Sequence, residues 1–245
     1  MRWLRFAGGF GFLDGDEVHI CRGDLFAGAE PTGETRPVAG IEWLPPCAPS
    51  KMIALAGNFG PEHVPAEPLF FLKAPNSFAA HGATVRAPRS YTGRVLYEGE
   101  LGVVIGKAGR DIPLEAVPEH VFGYTCVNDV TAYDLFKADA TFEQWTRAKG
   151  FDDFGPFGPV IATGIDVAAL TVRTLVNGRE RQRYRVADLI FSPAQLVSLI
   201  SRDLTLLPGD VISCGTGPGP GVLKPGATVE VVIDGVGTLT NRYGA

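Results

Sequence analysis

Apolar residues in this chain come in short runs broken by Gly, Pro, Asn and Asp, without the three- and four-residue recurrence of amphipathic helices. Runs such as MIALAG, LFFLK, ATVRAP, LYEGELGVVIG, VFGYTCVND, GPVIATG, LTVRTLVNG, GDVISCG and ATVEVVIDGVGTL therefore read as strands. Helical spacing is confined to two stretches, one around Asp134 to Arg147 and one around Ser192 to Arg202. The second opens with a serine N-cap and a proline in its first turn. Residues 1–45 alternate short apolar runs with turn residues and predict a small N-terminal β-unit. The stiff connector LPPCAPSK follows, and residues 50–245 read as one larger domain. This order predicts a mixed, mainly β fold (α+β), a roll or sandwich with short helices, rather than an alternating βαβ plan. NGRERQRYR, residues 177–185, reads as an Asn-Gly hairpin turn leading into an exposed strand whose arginines guard a sheet edge.

Within this pattern YEGELGVVIG, residues 97–106, stands out. Strand alternation puts Tyr97, Leu101, Val103 and Ile105 on one face and Glu98, Glu100, Gly102 and Val104 on the other. Two carboxylates side by side on a largely apolar strand repel each other, and burial raises the cost, so they call for a cation between them. Asp129, at the end of VFGYTCVND, offers a third acid. Three carboxylates without nearby His or Cys suit magnesium, with manganese as a substitute, and argue against zinc. Lys149, in RAKGFDDFGPFGP, is placed to neutralise a carboxylate near such an ion, or else to cover phenylalanines from the surface with its aliphatic stem.

Charge and composition narrow the remaining classes. A net charge of -5 argues against a nucleic-acid scaffold, which needs a basic surface to displace counterions from phosphates. No run approaches the roughly 20 apolar residues of a membrane span. The opening MRWLRFAGGFGFLDGDEVHI is interrupted by glycines and acids before a signal-type apolar core forms, and Cys21, Cys47, Cys126 and Cys214 show no CxxC spacing. A cytoplasmic protein with reduced thiols is expected. The glycine cluster CGTGPGPG, residues 214–221, is followed by a turn and a strand instead of a helix, which excludes a dinucleotide fingerprint. It remains either a tight turn or a backbone cradle for a carboxylate or enolate.

LFFLKAPNSF, YEGELGVVIGK, VFGYTCVNDVTAYDL, QWTRAKGFDDFGPFGP, LVNG, FSPAQLVSLIS, LTLLPGDVISCGTGPGPG and VEVVIDGVGTLTNR occur in that order along residues 50–245. Together they resemble the fumarylacetoacetate hydrolase family, in its branch of catechol-pathway isomerases and acylpyruvate hydrolases. The resemblance implies a mixed β-roll, a homodimer, and a divalent metal, commonly magnesium, on Glu98, Glu100 and Asp129. It implies that Lys149 meets the substrate carboxylate, with Asn128 and Gln144 as further contacts. In AGNFGPEHVPAE it points to His63 as general base and Glu67, or Glu62, as its orienting acid. Asn58 to His63 is one residue longer than the usual spacing, and Glu67 lies four rather than three residues beyond the histidine. Tyr133 stands where many relatives have arginine, and Cys214, Gly215 and Thr216 replace the usual TGTP turn; all four are expected near substrate.

The implied chemistry is stabilisation of an enolate formed from a small 2-oxo or 2-hydroxy-2-ene carboxylate. Its outcomes are carbon-carbon bond hydrolysis of an acylpyruvate, or isomerisation or decarboxylation of a dienoate. Loss of the arginine at 133 weakens recognition of a second carboxylate. A different class of reading is a non-catalytic β-roll whose acids hold a structural ion beside a ligand pocket. A nicotinamide-binding oxidoreductase is not expected.

Overall fold

The computed structural model describes residues 1–60 and 64–244. Short apolar runs that alternate in burial form three sheets, and the fold is mainly β with a few short helices, as the hydrophobic pattern predicts. The largest sheet runs, in spatial order, through Gly28–Pro37, Glu17–Asp24, Gly9–Asp14, Arg2–Phe6, Gly155–Ala162, Val121–Asn128, Gly99–Ile105, Val211–Ser213, Met52–Ala56 and Leu69–Lys73. The N-terminal meander thus continues the same sheet, joined where Arg2 pairs with Ala162 and Trp3 with Ile161. It keeps an apolar cluster of its own around Leu4, Phe6, Val18 and Ile41, to which Val160 of the larger unit contributes.

A five-stranded sheet, ordered Arg179–Arg185, Thr171–Val176, Thr228–Ile233, Gly237–Gly244 and Thr84–Arg86, packs against the central strands of the large one. The main core fills the space between them with Leu101, Val103, Ile105, Val172, Val231 and Leu239. Helix Pro193–Asp203 adds Leu196, Val197 and Ile200 to that core. Its N-terminus carries the expected serine cap, completed as a capping box by Gln195, which satisfies backbone groups that a helix start leaves free. The hairpin turn at Asn177 and Gly178 has φ of 51° and 71°, the left-handed conformation that an Asn-Gly pair provides at low cost.

Two local expectations change. The helix expected over Asp134 to Arg147 is split into Tyr133–Phe136 and Trp145–Lys149. Between them the Asp139 carboxylate accepts from the Thr141 backbone N–H at 2.8 Å and its hydroxyl at 2.6 Å, a local turn that competes with helix continuation. The strand expected through 97–106 is broken at Glu98. Val95–Tyr97 belongs to a small third sheet with Thr131–Ala132 and Gly221–Val222, while Gly99–Ile105 crosses the large sheet. Tyr97 consequently packs beside Val130 and Phe154, away from the cluster that takes Leu101, Val103 and Ile105.

Candidate functional site

The break at Glu98 brings the acids together. Asn128 pairs with Gly99 across the large sheet. Its side-chain oxygen accepts the Glu98 N–H at 3.2 Å, and the Asp129 N–H donates to the Glu98 carbonyl at 2.9 Å. The Gly99 peptide is held from the other side. Its N–H donates to Gln182 Oε1 at 3.1 Å, while its carbonyl accepts from the Tyr184 hydroxyl at 3.0 Å and the Thr216 hydroxyl at 3.1 Å. A Cβ at this position would lie 1.9 Å from Thr174 Oγ1, so glycine is the residue that lets the chain pass. The result is a set of Glu98, Glu100 and Asp129 oxygens all within 4.8 Å of one another.

Each acid is already bound at part of its surface. Glu100 Oε2 accepts from Ser213 Oγ at 2.5 Å and from the Gly215 N–H at 2.9 Å. Asp129 Oδ1 accepts from Lys73 Nζ at 2.6 Å, and its Oδ2 from Lys149 Nζ at 2.6 Å. Lys149 Nζ also donates to Glu98 Oε2 at 2.6 Å. Lys73 is fully buried and has an acceptor for each ammonium hydrogen, since it also donates to the Lys149 carbonyl at 2.8 Å and the Val130 carbonyl at 3.3 Å.

Burial and mutual repulsion shape the ionisation of this cluster. Burial, followed by the Asp129 and Glu98 charges, pushes Glu100 up to about 8. Burial also raises Glu98, against the pull of Lys149. Burial would raise Asp129, but Lys149 and Lys73 outweigh it and hold the carboxyl below its ordinary value. The two lysines differ: burial lowers Lys73, whereas for Lys149 the Asp129 and Glu98 carboxylates overcome burial and raise it. A carboxyl held protonated by burial and by neighbouring carboxylates is one that a divalent ion among them would ionise. All three donors are carboxylates, and no His or Cys joins the group among the described residues, so the set fits a hard divalent ion.

A cavity of about 210 Å³ opens on this cluster. Glu98, Glu100, Lys149 and Thr216 contribute polar groups, and Phe71, Trp145, Phe136 and Tyr133 contribute aromatic rings. The Trp145 ring stacks on Phe71 at 4.9 Å and meets Phe136 edge-on at 4.0 Å. Lys149 Nζ lies 4.9 Å from the Phe71 ring centre, so the ammonium stands between the acids and the aromatic wall.

The residues singled out from sequence are distributed as follows. Glu98, Glu100, Asp129 and Lys149 form one cluster; Thr216 and Tyr133 line its cavity, and Tyr133 is 47% exposed with Arg94 against its ring at 4.7 Å. Asn128 acts on the Glu98 backbone, and its Nδ2, buried, has no hydrogen-bond partner among the described residues. Gly215 reaches Glu100 through its N–H. The Cys214 thiol, expected near substrate, instead packs in the main core with no exposed surface, because the chain turns after it and the backbone faces the acids. Gln144, also expected at substrate, precedes helix Trp145–Lys149 and accepts there from the Ala148 N–H. Glu67 is exposed and lines a separate recess with Leu199, Arg202 and Asp203. His63 and Glu62 lie outside the described residues. Lys73 was missed: at the end of LFFLK, on the edge strand Leu69–Lys73, it reads as a strand-end lysine reaching for water.

The C-terminal model of fumarylacetoacetate hydrolase matches residues 51–243, and a model for the N-terminal part of Rv2993c-like proteins matches residues 1–46. Protein Rv2993c of Mycobacterium tuberculosis is 40% identical over 220 residues, 86% of this chain and 81% of that protein. Oxaloacetate tautomerase YisK of Bacillus subtilis is 38% identical over 215 residues, 80% of this chain and 70% of that protein. The crystal structure of 5-carboxymethyl-2-hydroxymuconate delta-isomerase from Mycobacterium smegmatis superposes with a TM-score of 0.94 at 37% identity, covering 100% of this chain and 99% of that one.

Proposed function

The chain is an enzyme of the fumarylacetoacetate hydrolase family, and from that premise we propose that it moves a proton on a small 2-oxo carboxylate, interconverting its 2-oxo and 2-hydroxy-2-ene forms with magnesium as cofactor. The observation that carries this reading is the convergence of the buried Glu100 and Asp129 with the partly buried Glu98 and with Lys149, where Glu98, Glu100 and Lys149 line one aromatic-walled cavity. Glu98, Glu100 and Asp129 would hold the magnesium, or manganese in its place, and the ion would supply fixed positive charge beside oxygens that become negative in the reaction.

The other roles belong to the chain itself. The Lys149 ammonium, already at the cavity wall, takes the substrate carboxylate, and the Thr216 hydroxyl lies within the same cavity. Phe71, Phe136 and Trp145 hold the carbon chain and keep water away from it, which strengthens each charge interaction inside. Family likeness assigns the proton transfer to His63, with Glu67 as the acid that would orient it. Support for that role comes from the start of its segment. Gly57 lines the cavity, and the Asn58 side chain is fixed by donating to the carbonyls of Phe191 at 3.1 Å and Cys214 at 2.7 Å and accepting from the Phe191 N–H at 2.8 Å.

Hydrolysis and decarboxylation would pass through the same enolate. The names of the tautomerase and isomerase relatives favour proton transfer as the first reaction to test. A purely structural ion is disfavoured because the acids face a cavity that a ligand can enter. The homodimer and the cytoplasmic location accompany this proposal on family likeness.

The test follows product identity by NMR across oxaloacetate, acylpyruvates and hydroxydienoates, with magnesium or with chelator. Tautomerisation that requires magnesium, and that falls by about 100-fold or more in folded Glu100→Gln and Lys149→Met, is expected. Rates indifferent to chelator and to both substitutions would refute the assignment.

A further inference from the structure

Two lysines serve the acidic cluster, and their surroundings differ in one respect. Lys73 is sealed: it is fully buried, and its three acceptors are Asp129 Oδ1, the Lys149 carbonyl and the Val130 carbonyl. Lys149 stands at the cavity, bound at 2.6 Å to Glu98 Oε2 and at 2.6 Å to Asp129 Oδ2, with the Phe71 ring on its open side. Both bonds go to acids that a metal would also need, since one carboxylate oxygen from each of Glu98, Glu100 and Asp129 lies within 4.8 Å of the others. Asp129 Oδ1 is committed to Lys73, and Glu100 Oε2 to Ser213 and Gly215. A divalent ion seated among the three acids and an ammonium bonded to two of them stand close together, and the two positive charges repel strongly in a poorly screened site.

Resting on the reading of Glu98, Glu100 and Asp129 as metal ligands, we infer that Lys149 is the resident counter-cation of the metal-free cluster, and that the incoming ion displaces its ammonium into the cavity. Lys73 is the positioning residue that makes the exchange possible. Its single ammonium grips both Asp129 and the Lys149 main chain, so that the carboxylate stays in place and only the Lys149 side chain moves. Metal loading and readiness for an anionic substrate are then one event. The released ammonium is directed to the space where a substrate carboxylate must sit. Counted with every group ionised, three carboxylates and two lysines carry a net charge of -1, and a divalent ion turns this to +1. The loaded cavity is therefore matched to a monoanionic head group.

The experiment measures Mn2+ binding by titration calorimetry to the wild type, Lys149→Met and Lys73→Met, and maps lysine acetylation by acetic anhydride with and without Mg2+. Removing the competitor should tighten Mn2+ at least tenfold in Lys149→Met, whereas Lys73→Met, which removes the same charge but also the grip on Asp129, should show no tightening. In the wild type, Mg2+ should raise Lys149 acetylation several-fold and leave Lys73 protected throughout. Equal tightening in both variants, unchanged or weaker binding in Lys149→Met, or Lys149 acetylation indifferent to Mg2+ would overturn the inference. If Lys149→Met does not fold, the wild-type acetylation decides alone. A wild type that binds no Mn2+ would instead remove the metal assignment itself, and the inference with it; Mn2+ bound with Lys149 unresponsive would remove only the inference.

Discussion

The arginine-rich hairpin and the cavity floor are built from the same pairing of cations with carboxylates, in opposite surroundings. On the hairpin side, Arg183 meets Glu180 and Arg185 meets Asp188 with both partners well exposed. At the cavity floor, the Lys73 and Asp129 side chains are 0% and 1% exposed, and Lys149 is 5% exposed. Water already solvates the first set, so pairing adds little, and its arginines serve to keep a sheet edge from recruiting another strand. In the second set water has been removed, and every charge depends on the others. The same residue types are therefore inexpensive in one place and interdependent in the other, and only the interdependent set has reason to bind a further ion.

The largest expected break in this contrast is Asp129→Ala. It strands Lys73 in the interior without its carboxylate, and urea unfolding in chelator should show a loss of about 3–5 kcal/mol. A loss indistinguishable from that of a surface change would mean that the cluster is less dry than its burial implies.

A pH series sharpens the contrast next. Because Glu100 lies at about 8 when folded, against an ordinary 4.5, the metal-free fold binds more protons than the unfolded chain between those values. This group therefore makes the metal-free protein less stable as pH rises from about 4.5 to 8. Metal needs the ionised form, so Mn2+ affinity should rise as pH climbs towards 8, at most about tenfold per unit for one released proton, and level off above it. Affinity that is flat from pH 6 to pH 8 would contradict the assignment of Glu100. Smallest of all is Arg183→Ala, for which the urea midpoint should be unmoved and the Mn2+ affinity unchanged.

The acidic cluster of the candidate site was legible because strand alternation makes acids in apolar runs conspicuous: Glu98 and Glu100 in one run, with Asp129 at the end of another. The fold class was legible for the same reason, since short apolar runs between turn residues leave little room for helices. What escaped depended on tertiary detail. Lys73 gave no periodic signal, and nothing in LFFLK distinguishes a buried lysine from one that reaches for solvent. The close passage of Gly99 beside Thr174 is likewise a contact between residues distant in sequence. Cys214 was drawn towards the substrate by its place in a glycine-rich turn, but a turn can present its backbone while its side chain packs inward. The helix from Asp134 failed on a single side-chain turn at Asp139.

Gly99 has a consequence for anyone searching genomes or designing catalysts around paired acids. A pattern written as acid, any residue, acid would admit sequences that this scaffold could not accommodate, because even one methyl group between the two glutamates would collide with a neighbouring strand. The transferable unit is the pair of acids together with the gap that separates them, and a graft that carried over the acids alone would have to find room for a side chain that this scaffold does not admit.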